Sequence, residues 1–146
     1  MRSLAGLSLG AFYLAAVVAV MARIGGTCTQ GDAGRLFGAA AALSVLALAA
    51  ILARGSGRPR LVLIGLAPLA PVYLWQAGFA AHLAVETAWR GRPACDVLEG
   101  TAKGFPPDGA EAVFAALWLA LAVASLAVVA LLARDARAAA RPPPAP

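Results

Sequence analysis

Charged residues are scarce in this chain. They make up 13% of its 146 residues, whereas hydrophobic residues make up 62%. Soluble domains are about half apolar and about a quarter charged, so a water-soluble core of this size cannot absorb such a composition. The few charges lie between and beside four long apolar stretches, and none lies at the middle of a stretch. This absence argues against proton- or cation-coupled transport, which requires ionisable groups inside the membrane.

The sequence also lacks the residues that most enzyme sites need. It contains one histidine and two cysteines, and no catalytic, nucleotide-binding or metal-binding motif is recognisable. Its eleven arginines and one lysine lie near the ends of apolar stretches, without the interleaved aromatic residues of a nucleic-acid surface. We therefore predict a non-enzymatic protein with no catalytic residue, cofactor, metal or nucleic-acid partner, whose arginines anchor it to lipid headgroups.

The four apolar stretches are each long enough to cross a bilayer as a helix, which takes about 20 residues. They predict an all-α fold, an integral membrane four-helix bundle formed as one domain by residues 1–134. The predicted helices cover residues 4–22, 36–53, 61–89 and 110–133. The basic, proline-rich residues 135–146 are predicted to form a disordered tail. We expect the first helix to be retained, because signal peptides have shorter apolar regions of about 7–15 residues.

Arginine placement predicts the orientation of the chain. Residues 54–60 form a short loop with three arginines and no acidic residue, which favours the cytoplasmic side. Both termini are then cytoplasmic, and the loops after the first and third helices lie outside. The abundance of alanine and arginine is typical of a GC-rich bacterial genome, so we predict a multi-pass protein of the bacterial inner membrane.

Each of the two predicted outer loops contains one cysteine, Cys28 or Cys95. The outer side of a bacterial inner membrane is oxidising, so we predict a disulfide between them. It would close a ring of about 68 residues and stabilise the fold by about 4 kcal/mol in the chain-entropy model. A redox pair and free or metal-binding thiols are the alternatives. Membrane thiol oxidases with four helices carry Cys-x-x-Cys, a motif that this chain lacks.

Two prolines, Pro68 and Pro71, lie inside the third apolar stretch. Each removes a backbone donor and clashes with the preceding turn, so a kink is predicted. The carbonyls that lose their partners must be satisfied by neighbouring helices or water. We therefore expect both prolines to face protein.

The outer half of the third helix contains most of the candidate contact residues. Spacings of four, three, four and three residues predict one helical face formed by Trp75, Phe79, His82, Glu86 and Trp89. This face is either a ligand or partner contact, with Glu86 orienting His82, or an interfacial aromatic belt with one surface pair.

Two polar residues lie deeper in the same helix, Tyr73 and Gln76. Gln76 is the only side-chain amide in any predicted span, and an amide that faces protein can join helices by hydrogen bonds. Both residues are therefore candidates for a helix–helix or partner contact.

Three functions remain open. We favour an accessory, assembly or scaffolding subunit of a larger membrane complex, whose partners are the lipid bilayer and a membrane protein or further copies of the chain. The alternative is an oligomeric transporter or channel for a small or hydrophobic solute, with Pro68, Pro71, Tyr73 and Gln76 lining the path. The third is a redox or cofactor-linked enzyme subunit that uses Cys28 and Cys95, or His82.

Overall fold

The computed structural model describes residues 2–24, 33–99 and 109–140, and this part of the chain contains helices and turns but no strand. Four helical segments are long and apolar enough to cross a membrane, so the prediction of an all-α chain with four membrane-length helices is confirmed. In chain order the elements are α1 (Arg2–Ile24), α2 (Ala33–Gly55), α3 (Pro59–Leu66), a 3-10 turn (Ala67–Leu69), α4 (Ala70–Ala84), a π turn (Val85–Trp89), α5 (Ala94–Glu99) and α6 (Gly109–Ala138).

The last helix is longer than its apolar stretch. α6 continues to Ala138, so residues 135–138 are helical and do not belong to the predicted tail. Alanine and arginine are strong helix formers, and nothing in this segment breaks the helix. Asp135 also lies 3.6 Å from Arg54, which ties the end of α6 to the end of α2. Residues 139 and 140 form a turn, and residues 141–146 of the predicted tail lie outside the described residues.

The turn between α2 and α3 is built from local hydrogen bonds. The buried hydroxyl of Ser56 donates to the carbonyl of Ala53 at 2.6 Å. Gly57 follows with a φ of +64°, which glycine adopts without steric cost. Arg60 then donates from Nε to the carbonyl of Ala136 at 3.3 Å. The arginine-rich turn and the end of α6 therefore lie at the same end of the molecule.

α1 and α2 pack closely through small residues. The hydroxyl of Ser8 is fully buried and donates to the carbonyl of Ala49 at 2.9 Å. Gly38 allows the closest approach, because a β-carbon at this position would overlap the β-carbon of Ala22. The buried alanines of α1 and α2 are Ala5, Ala15, Ala16, Ala19, Ala22, Ala39, Ala42, Ala49 and Ala53. Small side chains of this kind permit helix association in lipid, where helices gain nothing from leaving water.

The prolines of the third span lie on its exposed side, so the expectation that they face protein is wrong. Pro68 and Pro71 cannot donate to the carbonyls of Ile64 and Ala67, their partners in a regular α-helix. Ala67 and Ala70 donate to these carbonyls instead, through the tighter pattern of the 3-10 turn. The kinked helix thus satisfies its own backbone, and no neighbouring helix needs to cover the prolines.

The close approach of α1 and α2 predicts opposite effects for two glycine substitutions. Gly38→Ala should lower the free energy of unfolding by about 1–3 kcal/mol, because the overlap with Ala22 forces the helices apart. Gly10→Ala is the matched control, since a β-carbon at Gly10 meets no atom within 4 Å. It should leave stability unchanged or raise it by up to about 1 kcal/mol through helix propensity. Thermal unfolding in mild detergent, followed by circular dichroism, compares the two; equal midpoints would contradict the packing described here.

Candidate functional site

The candidate site is the side-chain amide of Gln76, on α4, and the space around it. Gln76 is 6% exposed, and neither its oxygen nor its nitrogen has a hydrogen-bond partner among the described residues. Leaving a buried polar group unpaired costs about 1–3 kcal/mol, so most such groups in proteins are satisfied. The prediction that Gln76 joins helices by hydrogen bonds is not what the structure shows within one chain.

Two adjoining cavities lie beside this amide. The smaller, of about 10 Å³, is lined by Gln76, Trp118 and small residues of α1 and α6. The larger, of about 250 Å³, lies between the kinked third span and α6. Tyr73 and Ser125 line both cavities, together with Leu46 and Ala122. The amide therefore lies at the polar end of a mostly apolar space.

The two hydroxyls at the boundary of the cavities already use their protons. Tyr73 donates to the carbonyl of Phe12 at 3.1 Å, and Ser125 donates to the carbonyl of Leu121 at 2.7 Å. A hydroxyl oxygen that donates once still has lone pairs with which to accept. The site thus offers one donor group, the Gln76 nitrogen, and acceptors on three side chains.

An arginine near the end of α1 contacts two aromatic rings of α4. The guanidinium carbon of Arg23, at the end of α1, is 3.8 Å from the ring centroid of Trp75 and 3.8 Å from that of Phe79. Phe79 in turn meets Trp118 edge to face, with the centroids 5.8 Å apart. Cation–π contacts contribute about 0.5–2 kcal/mol, depending on how dry the site is. These contacts connect α1, α4 and α6 next to the smaller cavity.

The C-terminal end of the third span departs from α-helical geometry. Val85–Trp89 form a π turn, in which the amide of Arg90 donates to the carbonyl of Val85 at 3.2 Å. Glu86, which is 3% exposed, accepts hydrogen bonds from Arg90 at 2.6 Å and Arg92 at 3.2 Å. Single π turns inside helices occur frequently at functional sites.

The five residues predicted on one face do not share one environment, and the last two of them lie in the π turn. Trp75 and Phe79 do lie together, around Arg23. His82 is exposed, and the partners of Glu86 are the two arginines instead of His82. Trp89 is 89% exposed, because the wider turn changes the angle between successive side chains.

The residues predicted to line a solute path do not all lie at the same site. Tyr73 and Gln76 line the smaller cavity, and Tyr73 also lines the larger one. Pro68 and Pro71 are exposed and belong to neither lining. Their effect on the site is indirect, through the kink that sets the course of the third span past α6.

The predicted disulfide is described at one end only. Cys95 is buried in α5, at 4% exposure, while Cys28 lies outside the described residues. α5 packs against α4, the π turn and α6. Within residues 2–24, 33–99 and 109–140, no group of three or more histidine, cysteine, aspartate or glutamate residues is arranged to hold a metal ion.

Sequence reasoning missed three side chains of this region: Arg23, Trp118 and Ser125. Arg23 was expected to be a loop charge that sets topology, yet its guanidinium lies between two rings. The sequence contains one indication of this contact. Arg23 lies at the end of the first apolar stretch, and the third stretch is rich in aromatic residues. Ser125 and Trp118 are isolated in an apolar stretch, and nothing in their spacing shows which neighbour they face.

The unpaired amide predicts that removing it stabilises the protein. Gln76→Leu should raise the free energy of unfolding of delipidated protein by about 1–3 kcal/mol, because leucine is of similar size and leaves no polar atom unpaired. Ser125→Ala is the control, since it removes a hydroxyl whose hydrogen bond is made; it should lower stability or leave it unchanged. Unfolding of both variants in detergent is the measurement. A less stable Gln76→Leu protein would show that the amide is paired.

Comparison with protein families, curated proteins and solved structures finds no match for this chain. The chemistry of the site is that of its own side chains. These are a neutral amide and two hydroxyls at the end of an apolar cavity, beside an arginine held between aromatic rings.

Proposed function

We propose that this chain is a small, non-enzymatic membrane protein that serves as an accessory, assembly or scaffolding subunit of a larger membrane complex. The observation that carries this proposal is the exposed indole of Trp89 on a rigid support. Trp89 is 89% exposed, whereas Glu86 of the same π turn is buried and paired with Arg90 and Arg92. Tryptophan is enriched among the few residues that dominate binding at protein interfaces.

The surroundings of Trp89 support a partner contact over a purely interfacial anchor. His82 and Val85 are also exposed on this part of the third span, next to the indole. Because the π turn and α5 are packed together, the surface formed by these three residues is largely preorganised. A preorganised surface loses little conformational entropy when it binds.

The polar groups inside the described spans support a structural role. Ser8, Tyr13, Ser44, Tyr73 and Ser125 each donate to a backbone carbonyl of α1, α2, α3 or α6. Hydroxyls used in this way join helices or bond within one helix, and they do not form a polar path. The alternative, an oligomeric transporter for a hydrophobic solute, is favoured by the cavity of about 250 Å³ beside Tyr73.

The proposed complex lies in a bacterial inner membrane, with both termini of this chain in the cytoplasm. The arginine-rich turn at residues 54–60 supports this orientation. We also propose that Cys28 and Cys95 form a disulfide on the outer side. In support, Cys95 is buried, is not a free thiol, and has Cys28 as its only possible partner within the chain.

Labelling of the cysteines tests orientation and disulfide together. A membrane-impermeant maleimide polymer, added to spheroplasts, should modify the wild-type chain only after treatment with a reductant. It should then react at Cys28 in the native protein and at both cysteines after denaturation, because Cys95 is buried. Cys95→Ser is the control and should be modified once without reductant, through Cys28. Labelling only after membrane lysis would contradict the orientation, and labelling of unreduced wild-type protein after denaturation would contradict the disulfide.

Replacement of the exposed tryptophan tests the accessory-subunit proposal. Purification in mild detergent from the native host should recover a membrane protein in stoichiometric amount with the wild-type chain. The Trp89→Ala variant should recover at least tenfold less of this membrane protein. Its thermal midpoint should be unchanged, because the side chain is exposed. Val113→Ala, at an exposed position of α6, should retain it. Recovery of a homo-oligomer alone would contradict the proposal and favour the transporter.

A further inference from the structure

We infer that the space between the third span and α6 is a binding site for a neutral, lipid-soluble molecule that carries a hydroxyl group. The hydroxyl would lie at the amide of Gln76, and the hydrocarbon body would fill the larger cavity. This inference concerns the interior of the chain and does not depend on the partner contact at Trp89.

The side-chain amide of Gln76 determines which polar group the ligand carries. Both atoms of the Gln76 amide are buried without a partner among the described residues, one a donor and the other an acceptor. A hydroxyl donates to the oxygen and accepts from the nitrogen, whereas a ketone, ester or ether satisfies the nitrogen alone. The oxygens of Tyr73 and Ser125 line the same space and offer further acceptors.

A charged ligand is excluded by the lining of the cavities. None of the residues that line them is ionised at neutral pH, and Arg23, whose guanidinium contacts the rings of Trp75 and Phe79, is not among them. Burying an uncompensated charge in an apolar environment costs far more than burying a hydroxyl. Fatty-acid anions and phosphorylated headgroups therefore do not fit the polar end.

The volume of the larger cavity limits the size of the ligand's hydrocarbon body. Its volume of about 250 Å³ exceeds the roughly 150 Å³ of an apolar cavity that binds benzene. Leu74 and Leu126, both more than half exposed, line its mouth on the membrane-facing side. A ligand thus enters from the bilayer, and a tail longer than the cavity extends among the acyl chains.

A second apolar groove shows why the amide matters. It has a volume of about 210 Å³ and lies between α1 and the third span, lined by Tyr13, Val17, Leu69 and Val72 among others. The Tyr13 hydroxyl donates to the carbonyl of Gly65 at 3.3 Å, and no unpaired buried polar atom lines this groove. It also has room for acyl chains, but it lacks a buried amide that could both donate to and accept from a ligand hydroxyl.

Quenching of tryptophan fluorescence by bromine tests the site, because the Trp118 indole lines the smaller cavity. The protein would carry Trp75→Phe and Trp89→Phe, so that Trp118 is the only indole left. 4-Bromophenol is the ring probe and 6-bromohexan-1-ol the chain probe. 4-Bromotoluene and 1-bromohexane are the matched probes without a hydroxyl, compared at equal concentration in the micelle.

We expect at least one hydroxyl probe to quench Trp118 saturably, at a concentration at least tenfold below its matched probe. Quenching by the ring probe alone identifies a phenol or quinol, and quenching by the chain probe alone identifies an aliphatic alcohol. Gln76→Leu should abolish the preference for the hydroxyl. Ala70→Phe, which fills the mouth of the larger cavity, should weaken binding at least tenfold, whereas Val17→Phe in the second groove should not.

Two results would overturn the inference. One is a hydroxyl preference that survives Gln76→Leu in protein whose thermal midpoint is not lowered. The other is the absence of saturable quenching by either hydroxyl probe, which would leave the amide to a bound water molecule.

Discussion

Polar groups within the hydrocarbon region of a membrane must find partners inside the protein, because lipid offers none. The described spans obey this constraint in detail. Pro68 and Pro71 remove two backbone donors, and the helix tightens into a 3-10 turn at this point. The two carbonyls that would otherwise have no partner accept hydrogen bonds from the amides of Ala67 and Ala70. Where a hydroxyl is buried, it donates to a backbone carbonyl, as Ser8 does to Ala49. The kink and the helix contacts both follow from one requirement.

A second consequence concerns packing. Without a hydrophobic gain between helices in lipid, contact area comes from close approach, which small side chains allow. α1 and α2 meet this condition through alanines and Gly38, and they form the most closely packed pair in the described part of the chain. The third span packs less extensively against α6. The cavity of about 250 Å³ lies on this side, next to Tyr73 and Ser125.

The sequence predicts the elements well and their faces poorly, for a physical reason. Length and hydropathy are properties of a segment, so four membrane-length helices follow from composition alone. The face that a residue presents depends on helical phase, and the 3-10 turn and the π turn each change that phase within the third span. Trp75 and Phe79, which share an uninterrupted α-helix, were placed together correctly, whereas Glu86 and Trp89 were not. Arg23 illustrates another limit, since its contacts with both rings arise only from tertiary packing.

Gln76 departs from the constraint that the buried hydroxyls and the backbone of the spans satisfy. The chain satisfies its buried hydroxyls and its interrupted backbone, yet it leaves an amide with both atoms unpaired among the described residues. Packing gives no reason for this choice, because leucine would fill the same volume without the cost. Departures from an otherwise consistent design tend to mark functional sites. The amide also lies where the two cavities adjoin, the position from which a neutral hydrogen-bonding group can hold a ligand that enters from lipid.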